Sequence, residues 1–336
     1  IRKKRKIALD HEAKAVVVIN TDTRSEFQTF LDRQPSGSHS IAKEPHQHGD
    51  NILFFTNTES LANLLGKETK KITDSYNKKS AGRKNRYRKL NTDIEVKIEK
   101  VSERFETENV LGFIEGNKRK QELVVITAHY DHIGTDGEEI YNGADDDGSG
   151  TAAVMEMAQA FALAQQNGHG PDRSMLFMTV AGEENGLLGS EYYSDHPQWP
   201  LKQTVANLNI DMIGRVDPLH ETSTDEYVYI IGSDRLSLDL HNINEQVNNI
   251  YTGLELNYKY DDENDPNRFY YRSDHYNFAK HNIPIIFYFN GTHADYHEPS
   301  DTIEKIRFDL LKKRTDLIFY CAWELVNRDE RIRLNE

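Results

Sequence analysis

The chain has a single cysteine, Cys321, so it has no partner for an internal disulfide and a disulfide-stapled scaffold is excluded. No stretch approaches the roughly 20 consecutive apolar residues that a membrane helix requires, which excludes a helical span. Basic residues are in deficit: 41 Lys and Arg stand against 55 Asp and Glu, for a formal net charge of −14. Such a surface repels a phosphate backbone, so nucleic acid is not an expected partner. There is no internal repeat and no charged-then-apolar leader, and the chain opens at Ile1. We therefore expect a processed or trimmed chain whose targeting signal is out of view. What is present is ample for a core, since 336 residues with 37% hydrophobic side chains make one large domain or two ordinary ones.

The first hundred residues differ in texture from the rest. Two strand-length apolar runs, AVVVIN at 15–20 and ILFFT at 52–56, flank a polar stretch holding Pro35, Gly37, Ser38 and Ser40. This pattern predicts a small α/β or β-rich unit with a long surface loop. Residues 67–89 are dense in Lys and Arg, with only Glu68 and Asp74 opposing them. Like-charge runs are usually solvated, so we read this one as an exposed linker, with contact to a polyanion as the alternative.

From residue 93 to 99 apolar and charged residues alternate (DIEVKIE), and a second extended run follows at 109–114, as expected of strands with one wet face. Beyond Glu122 the order becomes strand, helix, strand. LVVIT (123–127), MLFMTV (175–180), residues 205–210 and IPIIFYF (283–289) are near-continuous apolar runs, expected of central strands covered on both faces. A helical stripe of Val154, Met157, Ala158, Phe161 and Ala162 lies between the first two. Leu310, Leu311, Leu317, Ile318, Cys321, Ala322, Leu325 and Val326 form another near the end. The expected fold class is α/β: a mostly parallel central sheet flanked by helices on both faces, with the smaller unit appended.

Functional groups in open α/β sheets gather just past the carboxyl ends of the strands. Here LVVIT runs into Ala128-His129-Tyr130-Asp131-His132, and MLFMTV into Ala181-Gly182-Glu183-Glu184. The third strand ends in Asn209-Ile210-Asp211, and IPIIFYF leads to His293, Tyr296 and His297. An acidic loop, Asp145-Asp146-Asp147, sits at the start of the first helix. A lone Glu-Glu, or one Asp after a strand, is commonly a cap or a solvated end. Imidazoles and carboxylates converging from four strands instead form a mixed nitrogen and oxygen ligand set suited to zinc, with cobalt or manganese as substitutes. One metal needs three protein ligands, whereas two metals sharing a carboxylate, roughly 3.5–4 Å apart, need about five; the surplus favours the pair.

The segments AHYDHIG, NGADDDGSG, AGEENGLLGS, NIDMIGR and HADYHEPSDT resemble, in order and spacing, the di-zinc exopeptidases that include bacterial leucyl aminopeptidases, aminopeptidase Y and glutamate carboxypeptidase, metallopeptidase family twenty-eight. The resemblance covers roughly residue 109 to the end and implies the zinc-exopeptidase, phosphorylase/hydrolase-like fold with two zinc ions per chain. It implies His129 and Asp211 as ligands of one ion, Glu184 and His297 as ligands of the other, and Asp146 as the bridge. Choosing Asp146 over Asp145 and Asp147 rests on its place in the motif. Glu183 is then the general base, and Asp131 the partner that orients His129 through its other ring nitrogen. Tyr296 is a candidate oxyanion donor. The implied reaction is peptide hydrolysis by a zinc-held hydroxide, with Glu183 moving the proton.

Several neighbouring groups stay open between roles: His132 and His293 between contact with the site and outer support, Arg215 and Arg272 between a peptide carboxylate and nearby acids. Ser273-Asp274-His275 resembles a pocket-lining segment; three adjacent residues cannot make a nucleophilic relay. The acidic run at 261–265 reads as an exposed turn in preference to a calcium site. Residues 6–20 resemble part of a protease-associated domain, a family-specific extension being the alternative. The expected layout is a truncated protease-associated-like segment and basic linker at 1–107 and a peptidase domain at 108–336. The expected activity is that of an aminopeptidase on peptide substrates, secreted or periplasmic, without a membrane span. The runner-up is a glutamate-carboxypeptidase-like dipeptidase, and the reading from another class is a catalytically silent binding protein on the same scaffold.

Overall fold

A computed structural model describes residues 104–220 and 224–335. Before them it describes the strands β1 (Ala15–Asn20) and β2 (Ile52–Asn57) and the single positions Asp10, Ile41, Glu59, Ala62, Asn63, Glu68 and Lys70. The segment 93–99 lies outside the described residues, as do most of the basic run at 67–89 and most of the protease-associated-like segment. Backbone contacts divide the chain into two units, residues 1–38 with 42–104, and 39–41 with 105–336. Within the first, β1 and β2 pair in parallel, Ala15 opposite Ile52.

The second unit is built on a seven-stranded sheet. Its strands are β3 (Val110–Ile114), β4 (Arg119–His129), β7 (Arg173–Val180), β8 (Thr204–Ile210), β9 (Tyr227–Ile231), β10 (Glu255–Asn257) and β11 (Ile285–Phe289). A small antiparallel hairpin, β5 (Gly134–Asp136) with β6 (Glu139–Tyr141), stands apart from it. The sheet order is β10-β9-β11-β8-β4-β7-β3. The four central strands β11, β8, β4 and β7 are mutually parallel, so their carboxyl ends share one edge. β3 runs antiparallel to β7, and β9 antiparallel to β11. The apolar run YVYII that forms β9 is not among the segments singled out from sequence; it extends the sheet beyond the parallel centre.

The unbroken apolar run of β4 has a simple cause. Val124, Ile126 and Ala128 enter the core on one face of the sheet, while Leu123 and Val125 enter a separate core on the other. A strand alternates its side chains, so a strand covered on both sides must be apolar throughout. On the first face lie α1 (Gly148–Gln166), α3 (Leu238–Val247) and α5 (Phe308–Asn327), which contribute Met157 and Phe161, Leu240 and Ile243, and Leu317 and Cys321. On the second lie α2 (Leu188–Asp195) and α4 (His275–Ala279), through Tyr193 and Phe278. Cys321 is buried in this packing. Truncating a large core side chain here would cost about 2–5 kcal/mol. Among the described residues, no helix is long and apolar enough to cross a membrane.

Candidate active site

The four central strands deliver their terminal groups to one place. His129 is the last residue of β4; Glu183 and Glu184 follow β7, and Asp211 follows β8. His297 arrives on the loop after β11 with φ of 59°, a left-handed backbone that a non-glycine residue adopts at a cost of about 1–3 kcal/mol. His129 Nε2 lies 3.2 Å from Asp146 Oδ1 and 3.8 Å from Asp211 Oδ1. On the other side of Asp146, His297 Nε2 lies 3.2 Å from Oδ2 and 3.4 Å from Glu184 Oε2. One carboxylate thus faces both imidazoles, with a different oxygen toward each.

The three consecutive aspartates separate cleanly by what their carboxylates do. Asp147 accepts the backbone N–H groups of Gly150 at 2.9 Å, Met212 at 3.1 Å and His129 at 3.2 Å, capping α1 while tying it to the ends of β4 and β8. Asp145 accepts Gly214 N–H at 2.6 Å and lies 3.1 Å from His293 Nε2. Asp301 accepts the N–H groups of Asp145 and Asp146 at 2.9 and 3.2 Å, holding the loop from below. Only Asp146 points its carboxylate at the imidazoles.

Asp131 meets the second ring nitrogen of His129 through its backbone. Its carboxylate does not hold His129: Oδ1 is 3.9 Å from Nδ1, while the backbone carbonyl of Asp131 is 2.9 Å away and takes the ring hydrogen bond. The sharp turn after β4 folds the carbonyl back under the ring and sends the side chain toward the β7 loop. There the carboxylate accepts the N–H groups of Glu183 at 3.1 Å and Glu184 at 3.4 Å. A carbonyl only accepts, so Nδ1 of His129 carries a proton and Nε2 is the nitrogen turned to the cluster.

The remaining candidates fall into place around this centre. His132 joins it, with Nδ1 3.0 Å from Glu184 Oε1, whereas His293 is occupied with Asp145. Tyr296 stacks on His297 with ring centroids 3.8 Å apart, and its hydroxyl accepts an N–H from Arg272 at 3.1 Å. Arg215 donates to Asp295 at 2.7 Å. Ser273 accepts from Asn209, Asp274 accepts from Ser190, and His275 lies 2.8 Å from the carbonyl of Tyr270, all three buried beneath the site. In the acidic run, Asp262 accepts Asn264 N–H and Asp265 accepts Asn267 N–H, as turns do.

Electrostatics sharpen the cluster. Burial, the largest effect, would lower His129, but the carboxylates of Asp146 and Asp211 that face it outweigh this and raise the imidazole well above its usual range. His297 is opposed by burial yet pushed up to about 9 by Asp146 and Glu184. Burial raises Glu183 well above the carboxylate range; His129 opposes this, and Asp211, Asp274 and Glu184 add to it. Neighbouring carboxylates contribute to the rise of all three groups.

These residues open onto a cavity of about 280 Å³ lined by Asp146, Glu183, Glu184, Asp211, Tyr296 and His297 on its polar side. Leu187, Met212, Phe269, Tyr271, Phe287 and Phe289 form its apolar wall. Phe287 and Phe289 belong to the anticipated strand, but nothing in the local pattern of Phe269-Tyr270-Tyr271 marks two of those rings as cavity wall.

Whether the donors suit a metal is testable on their bonding. His129 Nε2, Asp146 Oδ2 and Glu184 Oε1 are buried without a hydrogen-bond partner. Buried polar atoms are nearly always satisfied, and a bound ion is one way to satisfy unpaired donors and acceptors gathered like these. Two groups bring one ligand atom per residue within 4.8 Å of each other: His129, Asp146 and Asp211, and His132, Asp146 and Glu184. Imidazole nitrogen with carboxylate oxygen is the donor chemistry of zinc.

Comparison with known proteins gives the family. Residues 109–322 match the sequence profile of peptidase family M28. The chain is 27% identical over 238 residues to aminopeptidase YwaD of Bacillus subtilis, covering 67% of this chain and 46% of that protein. It is 28% identical over 235 residues to a probable leucine aminopeptidase of Arthroderma benhamiae, covering 68% and 60%. The structure of BSAP, a zinc aminopeptidase from Bacillus subtilis, superposes with a TM-score of 0.52 at 26% identity, over 67% of this chain and 52% of that one. The chain thus spans about half the length of the relatives it matches.

Proposed function

The chain belongs to peptidase family M28, and from that premise we propose that it is a zinc-dependent aminopeptidase holding two zinc ions. The observation that carries this reading is the shared carboxylate. Asp146 offers one oxygen to His129 and the other to His297, with Asp211 and Glu184 completing the two sides. His129, Asp146 and Asp211 would hold one ion; Asp146, Glu184 and His297 would hold the other. Bound zinc supplies a Lewis acid that eases deprotonation of water and polarises a carbonyl.

The chain's own groups do the rest. Glu183, fixed in place by Asp131 through its backbone N–H, takes the proton of the attacking water and returns it to the leaving amine. Tyr296 accepts from Arg272, which leaves its own hydroxyl proton free for the developing oxyanion. The apolar wall receives the side chain of the terminal residue. Residues 108–336 form the peptidase domain in this reading, and residues 1–107 a protease-associated-like segment with its basic linker. As an extracytoplasmic enzyme, secreted or periplasmic, it acts on free peptides.

The charge of the cavity lining supports the amino terminus as the end recognised. Asp146, Glu183, Glu184 and Asp211 line the cavity, and Arg272 is the one Lys or Arg among its lining residues. A surplus of carboxylates attracts an ammonium and repels a carboxylate. The test is a panel of aminoacyl anilides beside amino-blocked and acidic dipeptides. Hydrolysis confined to free amino ends supports the reading; hydrolysis of the blocked set transfers the chain to the carboxypeptidase reading carried by Arg272.

A further inference from the structure

His132 is the group that the two-zinc arrangement leaves without a task. Its side chain is only 9% exposed, and both ring nitrogens lack a hydrogen-bond partner. Nδ1 lies 3.0 Å from Glu184 Oε1 and 3.9 Å from Asp146 Oδ2, and those two oxygens are themselves unpartnered. The approach of Nδ1 to Glu184 is close but lacks hydrogen-bond alignment, so the three atoms face a common point. His297 meets the same two carboxylates, its ring edge-on to His132 with centroids 5.9 Å apart.

The fold makes specific room for this imidazole. Gly143 opens the acidic loop at φ of 60°, and a Cβ there would meet the backbone oxygen of Asp146 as well as the side chain of His132, at 2.5 Å from Cγ and 2.9 Å from Cβ, so the glycine serves both the loop and this imidazole. Any larger residue would displace the ring from the cluster.

We propose that His132 is a fourth protein ligand of the second ion, alongside Asp146, Glu184 and His297. This rests on the two-zinc reading and makes the two positions unequal. The second position has four protein donors, the count of a closed, tightly held zinc site. The position of His129, Asp146 and Asp211 has three, the count of a site that keeps a place for water or substrate. The second ion is then the retained one and the first the exchangeable one.

The test is zinc content and zinc environment in the full chain, without reference to turnover. Under competition with a graded zinc chelator, the wild type releases its ions in two steps. His132→Ala and the size-conserving His132→Asn weaken the tighter step by more than the roughly 10–100-fold expected from losing an outer partner of a ligand. Asp211→Asn weakens only the looser step. Zinc-edge X-ray absorption counts three imidazoles over two ions in the wild type and two in the His132 variants, with circular dichroism reporting that each variant is folded. Unchanged release and an unchanged imidazole count in folded His132 variants overturn the proposal while leaving the two-zinc reading intact. A wild-type chain that binds fewer than two zinc ions overturns that reading instead.

Discussion

The carboxylate of Asp131 accepts the backbone N–H of Glu183 at 3.1 Å and leaves the ring of His129 to its own backbone carbonyl. The residue therefore serves two neighbours with two different groups. Its side chain positions the proposed base, and its main chain sets the tautomer of a proposed ligand.

The two duties come apart by mutation. Asp131→Ala removes the acceptor of the Glu183 and Glu184 amides but keeps the carbonyl beneath His129. We expect a fall in kcat on the order of 10–100-fold with zinc content retained, and partial recovery in Asp131→Asn, which keeps one acceptor oxygen. Loss of zinc in Asp131→Ala would place the carboxylate back in support of His129.

Glu183 stands beside the donor cluster without being one of its paired oxygens. Glu183→Gln is expected to preserve two zinc ions per chain while lowering kcat by about 10²-fold or more, the usual worth of a positioned base. Steady-state kinetics alongside metal analysis checks both halves, and retained activity would reject the assignment.

The three aspartates should respond to substitution in different currencies. Asp146→Asn is expected to lower zinc content at both positions with little change in the stability of the metal-free protein. Asp147→Ala leaves the buried N–H groups of Gly150, Met212 and His129 without their acceptor, and we expect a loss of stability of about 1–3 kcal/mol or more, read by denaturant melts of the metal-free form. A reversed pattern would mean the bridge has been misassigned within the loop.

Asp274 supplies a pH signature. It is fully buried, one oxygen accepting the Ser190 hydroxyl and the other unpartnered, and burial pushes its pKa from 3.8 up to about 7. The folded state therefore holds this proton more tightly than the unfolded chain does. The resulting stabilisation is fully present below 3.8 and is lost as pH rises through about 7. Between about pH 5 and about pH 9 the metal-free protein should lose on the order of 1–4 kcal/mol from this group, and Asp274→Asn should flatten that slope. Parallel stability profiles for the two proteins would show that Asp274 ionises without penalty.

Much of the fold and of the site was legible before any coordinates, because both obey local rules. A central strand covered on both faces must be apolar at consecutive positions, which exposes LVVIT, MLFMTV and IPIIFYF to inspection. Polar residues directly after such strands then stand at the one edge where parallel strands end. His129, Glu183, Glu184, Asp211 and His297 are visible for that reason. The helices α1 and α5 declare themselves by their buried stripes.

The direction of each side chain is another matter, since it depends on partners far along the chain. Asp145, Asp146 and Asp147 look alike in sequence; they differ because Gly214 and Met212 after β8 present backbone N–H groups that occupy the carboxylates of Asp145 and Asp147. His132 packs against Gly143, where a Cβ would collide with its ring. Phe269 and Tyr271 line the cavity because a short 3₁₀ turn carries them to the parallel strands' end, with no periodicity to announce it. Which residue types arrive at the sheet edge follows from the order of residues along the chain. Which atoms face one another there is set by contacts between segments that are distant in the chain, and those exist only once it has folded.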